Sequence, residues 1–438
     1  MNRIKLIGLT IALLGLPLLL SAQATHELIS ERGILDGVNP ELEIIYPTSG
    51  CSFMYGDTLP IQWIASDSSF IELPIEITYT LDGEWVFTEI DSATENDSLY
   101  EWIIPEIPYG NYIIKIKAID EYGNTTALFT DSFFIMGKNP GPYWYVSVDG
   151  SDSTHNGTEE FPYSSIQKAL DECSPGDTIL VSQGIYHEQI NTNDKSVYIR
   201  GLSGAEHTII DGDSTGNDVV TLSGNSTLTG FTIQHTGENG LTGGIRIESG
   251  SPLIQYNRII ENNDGIICWS NSKPTIKNNL VARANALILC MDQSKVYLKN
   301  NTLVEGGEGV NVYSNYTHAT AVNNIITNNN YGIYTTYSQD SIEALYNDVW
   351  SNSQSNYYGL ADQTGIEGNI SENPLFIYLD SLNIHLNSLS PGIDAGNPLS
   401  VYNNEPEPNG DRINMGCLLY TSDAADELDG VDLGGRRI

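Results

Sequence analysis

Short runs of alternating apolar and polar residues, separated by turn-forming residues, follow one another along the chain from residue 41 onward. Alternation with a period of two residues is typical of half-buried β-strands. Up to residue 137 it predicts a small antiparallel β-sandwich, with turn signals such as Asp82-Gly83 between the strands. The predicted strands of this sandwich are residues 42–46, 59–64, 75–81, 100–104, 112–119 and 127–135.

From residue 145 the pattern changes, and an apolar motif centred on Asn recurs with a period of about 22 residues. Apolar residues lie three positions before and two positions after each of these Asn residues. A unit of this length with two or three short strands is one coil of a parallel β-helix, in which stacking buries the apolar side chains of every coil. A leucine-rich repeat is the alternative, but its Leu-x-x-Leu-x-Leu frame is missing. The motifs are centred on Asn257, Asn279, Asn301, Asn324 and Asn347, each one repeat after the last.

The Asn positions mark a bend between two strands of each coil. Because each bend stacks on the bend of the next coil, the Asn side chains are expected to hydrogen-bond one another along the axis, as in other cross-β ladders. The segment 228–233 fits one coil before the first Asn motif. We therefore predict an all-β chain: an N-terminal antiparallel sandwich followed by a parallel β-helix with about 22–23 residues per coil.

A second strand series follows the first, and its coils begin at Gly244, Gly265, Ala286, Gly309, Gly332 and Gly359. Alternate residues of a strand point outward. The residues two positions on are Arg246, Ile267, Ile288, Asn311 and Tyr334, and those four positions on are Glu248, Trp269, Cys290, Tyr313 and Thr336. This count predicts an exposed aromatic face that spans several coils. Aromatic rings can stack on sugar rings while polar groups bind hydroxyls. The candidate glycan-binding residues are Arg246, Glu248, Trp269, Asn311, Tyr313 and Tyr334; packing beneath a covering loop is the alternative.

Four motifs between residues 145 and 188 resemble the N-terminal cap of right-handed, pectin-lyase-like β-helix proteins. They are YVSVDGSD (145–152), PYSSIQKAL (162–170), PGDTILV (175–181) and GIYHE (184–188). The segments 373–376 and 389–396 resemble the closing segment of secreted members of that group. The resemblance implies a right-handed β-helix over residues 143–416, with a short capping helix from Ser165 to Glu172. It specifies the fold only, because unrelated activities share this scaffold. Trp63 and the stretch 118–124 (AIDEYGN) likewise resemble bacterial immunoglobulin-like or fibronectin-like modules.

The two ends of the chain are expected to lie outside these domains. Residues 1–24 have the basic, apolar and small-residue regions of a secretory signal peptide, so we expect export by the general secretory pathway to the cell surface or the medium, with no membrane span in the mature chain. A polar leader (25–40) precedes the sandwich (41–137), and residues 138–142 form the linker to the β-helix (143–416). Residues 417–438 resemble a translated sequencing adapter.

Composition narrows the range of partners. The chain carries 56 acids against 19 bases, a net charge of −37. Nucleic-acid affinity depends on Lys and Arg displacing counterions, so nucleic acid is excluded as a partner. Attraction to anionic membranes is excluded for the same reason. An extended polysaccharide, with or without uronic acids, remains the expected partner.

An enzymatic interpretation stays open beside glycan binding. Polyuronate lyases of the resembled fold use a Lys or Arg base, commonly with calcium held by carboxylates to neutralise the developing charge. The candidate bases are Lys277 and Lys299, one coil apart and outward by phase; solvated surface lysines are the alternative. Asp211, Asp213 and Asp218 are candidate calcium ligands, although no D-x-D-x-D-G loop is present. A structural stalk or adhesin is the third interpretation. No complete catalytic set is visible.

Overall fold

The computed structural model describes residues 37–237, 240–336, 341–402, 410 and 412–417. The predicted signal peptide, most of the leader and nearly all of the adapter-like tail therefore lie outside the described residues. Within the described part of the chain, no helix has the length and apolar character needed to cross a membrane.

Two mainly antiparallel sheets form the N-terminal module. Its strands are β1 (Glu41–Tyr46), β2 (Ser52–Met54), β3 (Thr58–Ser66), β4 (Phe70–Leu81), β5 (Thr88–Thr94), β6 (Leu99–Ile103), β7 (Gly110–Asp120), β8 (Thr125–Phe129) and β9 (Phe133–Met136). Strands β1, β3 and β6 form one sheet, and the other follows the order β2-β9-β7-β4-β5, with β8 also on β7. All of these strand pairs are antiparallel except β2 with β9, which is parallel.

The core of this module lies between the two sheets, because alternate residues of each strand point into it. Ile61 and Trp63 of β3 pack against Ile77 of β4 and Ile116 of β7, all at most 1% exposed. The predicted antiparallel sandwich is therefore confirmed. The last strand expected from the sequence, 127–135, is two strands (β8 and β9), and β2 and β5 were not predicted.

As far as the structure describes them, residues 143–358 wind into three parallel sheets of nine, eight and eight strands, to which successive coils contribute one strand each. The first sheet holds β10 (Tyr143–Val146), β11 (Thr178–Val181), β14 (Tyr198–Gly201), β17 (Thr227–Thr229), β20 (Leu253–Gln255), β23 (Thr275–Lys277), β26 (Lys295–Lys299), β29 (His318–Val322) and β32 (Ser341–Leu345). The second sheet holds β12 (Gly184–His187), β15 (Thr208–Asp211), β18 (Thr232–Gln234), β21 (Arg258–Ile260), β24 (Leu280–Ala282), β27 (Thr302–Val304), β30 (Ile325–Thr327) and β33 (Asp348–Trp350).

The third sheet completes each coil. It holds β13 (Ile190–Asn191), β16 (Val220–Leu222), β19 (Gly243–Ile247), β22 (Asp264–Cys268), β25 (Ala286–Cys290), β28 (Glu308–Val312), β31 (Tyr331–Thr335) and β34 (Ser355–Tyr358). This arrangement is the predicted right-handed parallel β-helix. Its core is one continuous column of apolar side chains. The residues three before and two after each Asn, such as Ile254 and Ile259, are fully buried in that core, as expected.

The Asn ladder lies at the bend between the first and second sheets. Each side-chain amide donates to the carboxamide oxygen of the next Asn, over 3.2, 3.1, 3.0 and 2.9 Å from Asn257 to Asn347, and the ladder continues to Asn369 over 3.1 Å. Each oxygen also accepts the preceding rung's backbone N–H, for example Asn279 to Asn301 at 3.0 Å. The residue before the ladder Asn is left-handed, with φ of 52° at Asn300, a conformation that Asn tolerates well.

Separate segments close the β-helix at one end and cover one side. Helix α1 (Ile166–Glu172) begins at the predicted position, since the Ser165 side chain caps it by accepting the Lys168 N–H. It buries Ile166, Ala169 and Leu170 against the first coils. At the other end, strands β35 (Phe376–Tyr378) and β36 (Asn383–Leu386) pair antiparallel. Together with residues 412–417 they cover the outward face of the second sheet, where Ile384 and Cys417 pack on Leu280 and Val304.

Candidate functional site

The outward face of the third sheet carries the candidate glycan-binding residues. Parallel pairing places Arg246 beside Ile267 and Asn311 beside Tyr334. Trp269 and Tyr313 follow strands β22 and β28 directly and lie on the same outward side. Successive strands are about 4.8 Å apart, so the four strands from β22 to β31 span about 14 Å from Trp269 to Tyr334. All six candidates therefore share one face.

The strand β25 is shifted by one residue from the predicted register. Ile266 pairs with Ile288 and Cys268 with Cys290, so the position equivalent to Gly265 is Leu287 and not Ala286. The predictions that Ile288 and Cys290 point outward are wrong, since both are fully buried in the core. The outward residues of this strand are Leu289 and, beyond its end, Met291, which form an apolar cluster with Ile267, Ala286 and Trp269. The cause is the length of the coil: Gly265 and its equivalent Leu287 are 22 residues apart, one more than the 21 residues between Gly265 and Ala286.

The last coil is also displaced from the prediction. Ile333 pairs with Tyr357 and Tyr334 with Tyr358, so Gly359 is not equivalent to Gly332. Tyr358 joins the face as a result. Its ring stacks on that of Tyr334 with 4.8 Å between centroids and 7° between planes. The ring of Tyr331 lies 5.0 Å from Tyr334 and 5.2 Å from Tyr358. This cluster of three tyrosines was not predicted from the sequence.

Trp269 and Arg246 form the other end of the face. The guanidinium lies 5.7 Å from the centroid of the indole ring, and its Nε donates to Asp218 over 2.5 Å. This ion pair is mostly buried, with 15% and 17% of the two side chains exposed. Arg246 and Trp269 line an open cavity of about 490 Å³ together with Glu248, Ser249, Asp194 and Ser270. The ion pair fixes the guanidinium over the ring and leaves the indole partly exposed.

Two carboxyl groups lie beside the aromatic residues. Asp264 and Glu308 occupy equivalent positions two strands apart, with Ala286 between them. Burial raises the pKa of Asp264, although the Ala286 N–H donates to it. Burial raises the pKa of Glu308, and the charge of Asp264 adds to this. Each acid directly precedes a Gly of the second strand series, and this position in the sequence is the signal from which the pair could have been predicted.

The candidate bases lie on a different face. Lys277 and Lys299 are neighbours in adjacent strands of the first sheet, as their spacing predicted, and both are partly buried. Burial lowers the pKa of Lys299, and the positive charge of Lys277 adds to this. Asp264 and Glu308 lie on the third sheet, so the structure does not bring the lysines together with that acid pair.

The three candidate calcium ligands do not form one cluster. Asp218 is occupied by Arg246 and by the Gly243 N–H, at 2.7 Å. Asp211 and Asp213 lie at the end of the second sheet, where Asp213 contacts His187 over 2.7 Å. Asp211 also contacts His235 over 2.9 Å. One ligand atom each from His187, Asp211 and Asp213 lies within 4.8 Å of the others. Of the three candidates, Asp211 and Asp213 therefore lie together beside His187, and Asp218 forms an ion pair with Arg246.

The fold and this face define a class: a parallel β-helix protein with an aromatic band along one sheet. Residues 171–374 match the family model described as "Periplasmic copper-binding protein (NosD)", which covers somewhat less than half of the chain. The uncharacterized protein YwoF of Bacillus subtilis (strain 168) is 32% identical over 85 residues, 18% of this chain and 18% of that protein. The alignment thus spans less than a fifth of the length of that relative.

Solved structures with some likeness include that of XylC with xylose, at 12% identity and a TM-score of 0.36, over 48% of this chain and 66% of that one. Pectate lyase Pel3 from Pectobacterium carotovorum is 13% identical with a TM-score of 0.20, over 76% and 84%. Pectate lyase PelI from Erwinia chrysanthemi, in complex with tetragalacturonic acid, gives 13% and 0.19, over 76% and 83%. Likenesses this low carry no argument about what this chain binds.

Proposed function

We propose that this chain is an exported β-helix protein that binds an extended polysaccharide along the outward face of its third sheet. One observation carries the proposal: Trp269, Tyr313, Tyr334 and Tyr358 lie on one face, the last three at the successive strands β28, β31 and β34, and Trp269 at β22, two strands before β28. Export is supported by the basic and apolar pattern of residues 1–24 and by the match to a family described as periplasmic.

The arrangement of the face suits a chain of sugar rings. The apolar faces of pyranose rings stack on aromatic side chains, while polar groups at the edges bind hydroxyls. Here the exposed rings are flanked by Arg246, Glu248 and Asn311, which supply donors and acceptors. Asn311 is only 7% exposed and its side-chain oxygen is buried, so Arg246 and Glu248 are the more accessible polar groups for sugar hydroxyls.

The charge of the face favours a neutral glycan over a uronic-acid polymer. Arg246 is neutralised by Asp218, and the acids Glu248, Asp264 and Glu308 lie on or beside the aromatic band. The whole chain adds a net charge of −37. A polyanion brought to such a surface is repelled and gains no compensating ion pair. We therefore propose that the ligands are neutral polysaccharides and not the uronic-acid glycans that the sequence also allowed.

The test is retention in native gels that contain soluble neutral polysaccharides, such as xylan, glucan and galactomannan, beside gels with polygalacturonate or alginate. We expect retention by at least one neutral glycan. Trp269→Ala and Tyr334→Ala should each raise Kd about tenfold or more, which corresponds to about 1.4 kcal/mol. Matched controls are Trp85→Ala and Tyr378→Ala, which remove aromatic side chains that are 86% and 68% exposed elsewhere on the molecule.

Equal retention of the face variants and the parent would contradict the proposal, as would equal loss in the control variants. The lyase alternative has a separate readout, namely the ultraviolet absorbance of unsaturated uronate ends, followed with calcium and with chelator. A calcium-dependent rise that Lys277→Ala or Lys299→Ala abolishes would replace binding by β-elimination on the first sheet. If the protein showed neither retention by a glycan nor turnover, a structural role as a stalk or adhesin would be the remaining interpretation.

A further inference from the structure

The end of the second sheet brings an imidazole and two carboxylates together from consecutive coils. His187 is the last residue of β12 and pairs with Asp211, the last residue of β15. Asp213 lies two residues after Asp211 and contacts His187, with 2.7 Å between its Oδ1 and the Nδ1 of His187. The ligand atoms of the three side chains all lie within 4.8 Å of one another. Their convergence is produced by the register of the coils, because His187 and Asp211 lie one full coil apart in the sequence.

The buried member of the trio is held by neighbours that are not part of it. Asp211 is 7% exposed. His235 in the next coil lies with its Nδ1 3.1 and 2.9 Å from the two Asp211 oxygens, and the Gln234 amide donates to Oδ2 over 2.8 Å. Carboxylates that ligate metals are fixed by outer hydrogen bonds of this kind, which orient their remaining lone pairs.

The composition of the trio selects the class of ion. Calcium and magnesium prefer sets of six or more oxygen ligands. An imidazole with two carboxylates suits zinc and other divalent first-row transition ions. Bonds of about 2.1 Å place tetrahedral ligands about 3.4 Å apart, so small movements of the exposed His187 and Asp213 side chains bring all three onto one ion. We infer that His187, Asp211 and Asp213 bind a divalent transition-metal ion, with Zn²⁺ as the test ion, and that a coordination position stays open to solvent.

The experiment is calorimetric titration of the untagged, chelator-treated chain with Zn²⁺, followed by metal analysis after dialysis. We expect one ion per chain. His187→Ala and Asp213→Asn should each weaken binding by tenfold or more; both side chains are more than half exposed, so folding should survive. His207→Ala is the matched control, since His207 is an exposed histidine in the same part of the β-helix, and it should bind Zn²⁺ like the parent.

A second measurement tests the coordination of the bound ion. Co²⁺ in a four- or five-coordinate site gives visible absorption bands that are much more intense than those of hydrated Co²⁺, and this gain in intensity should be lost in His187→Ala and kept in His207→Ala. Failure to saturate with Zn²⁺ would overturn the inference, as would binding that is unchanged in both site variants. Binding of Ca²⁺ with equal strength in the parent and His187→Ala would also overturn it, in favour of a carboxylate calcium site.

Discussion

At the scale of single residues, Asp348 is a buried carboxyl with an incomplete set of partners. It begins β33 and is fully buried. One of its oxygens accepts the Glu372 N–H at 3.1 Å, whereas the other has no hydrogen-bond partner in the described part of the protein. Burial raises its pKa to about 7, against that hydrogen bond and with the help of the nearby Glu372 charge. The folded protein therefore binds a proton that the unfolded chain releases near pH 4.

This shift predicts a loss of stability as the pH rises from about 4 to about 7, because the folded state holds more protons than the unfolded state over that range. At pH 8 the charged form of Asp348 costs up to about 4 kcal/mol, from three pKa units at about 1.4 kcal/mol each. Asp348→Asn should therefore raise Tm at pH 8 and make Tm less dependent on pH between about 4 and 7. The measurement is thermal unfolding from pH 4 to pH 8. Asp149→Asn, at an exposed position, is the control, and equal profiles for parent and Asp348→Asn would refute the assignment.

At the scale of elements, the Asn ladder joins successive coils in addition to their strand pairing and core contacts. The Asn301 amide donates to the Ile276 carbonyl over 2.8 Å and to the Asn324 side chain over 3.0 Å. Its oxygen accepts both the backbone and side-chain N–H of Asn279. All of these groups are buried without access to water. The ladder thus satisfies backbone groups at a bend where strand pairing is interrupted.

Removing one rung should leave the Asn279 N–H buried and unpaired and should take one donor each from the Ile276 carbonyl and the Asn324 side-chain oxygen. We predict that Asn301→Ala lowers the free energy of unfolding by about 2–4 kcal/mol, since each unsatisfied buried group costs about 1–3 kcal/mol. Chemical denaturation measures the change. Asn315→Ala, at an exposed loop position, should stay within about 0.5 kcal/mol of the parent. A loss for Asn301→Ala no larger than that would argue against a stabilising ladder.

At the scale of the whole molecule, the chain has two main hydrophobic cores with no member in common. Ile116 belongs to the core between the sheets of the sandwich, and Ile259 to the column inside the β-helix. Both side chains are fully buried. Two contacts join the modules near the linker. The Asn156 side-chain amide donates to the Gly137 carbonyl over 2.7 Å, and the rings of Phe134 and Phe161 lie 5.6 Å apart. Modules whose hydrophobic cores share no residue unfold as separate cooperative units.

Two calorimetric transitions are therefore expected. Ile116→Ala should lower only the transition of the sandwich and Ile259→Ala only that of the β-helix, each by the roughly 2–5 kcal/mol typical of deleting a buried Ile side chain. The two variants serve as controls for each other, because the residue type and burial are the same. A single transition, or a shift of both transitions in either variant, would show that the two cores unfold together.

The sequence by itself determined the features that depend on periodicity. The Asn spacing and the apolar positions around it specified the parallel β-helix and its inward columns, and the outward phase of Trp269 and Tyr334 followed from alternation within a strand. Only the tertiary structure decided the register between coils, since the coil from β22 to β25 is one residue longer than the sequence pattern indicated and a slip of one residue reverses every side chain. The register between coils places Leu289, and not Ile288, on the outward face of the third sheet. It also places Tyr358 on that face and His187 beside Asp211. These are contacts between coils, and a pattern within one coil carries no information about them.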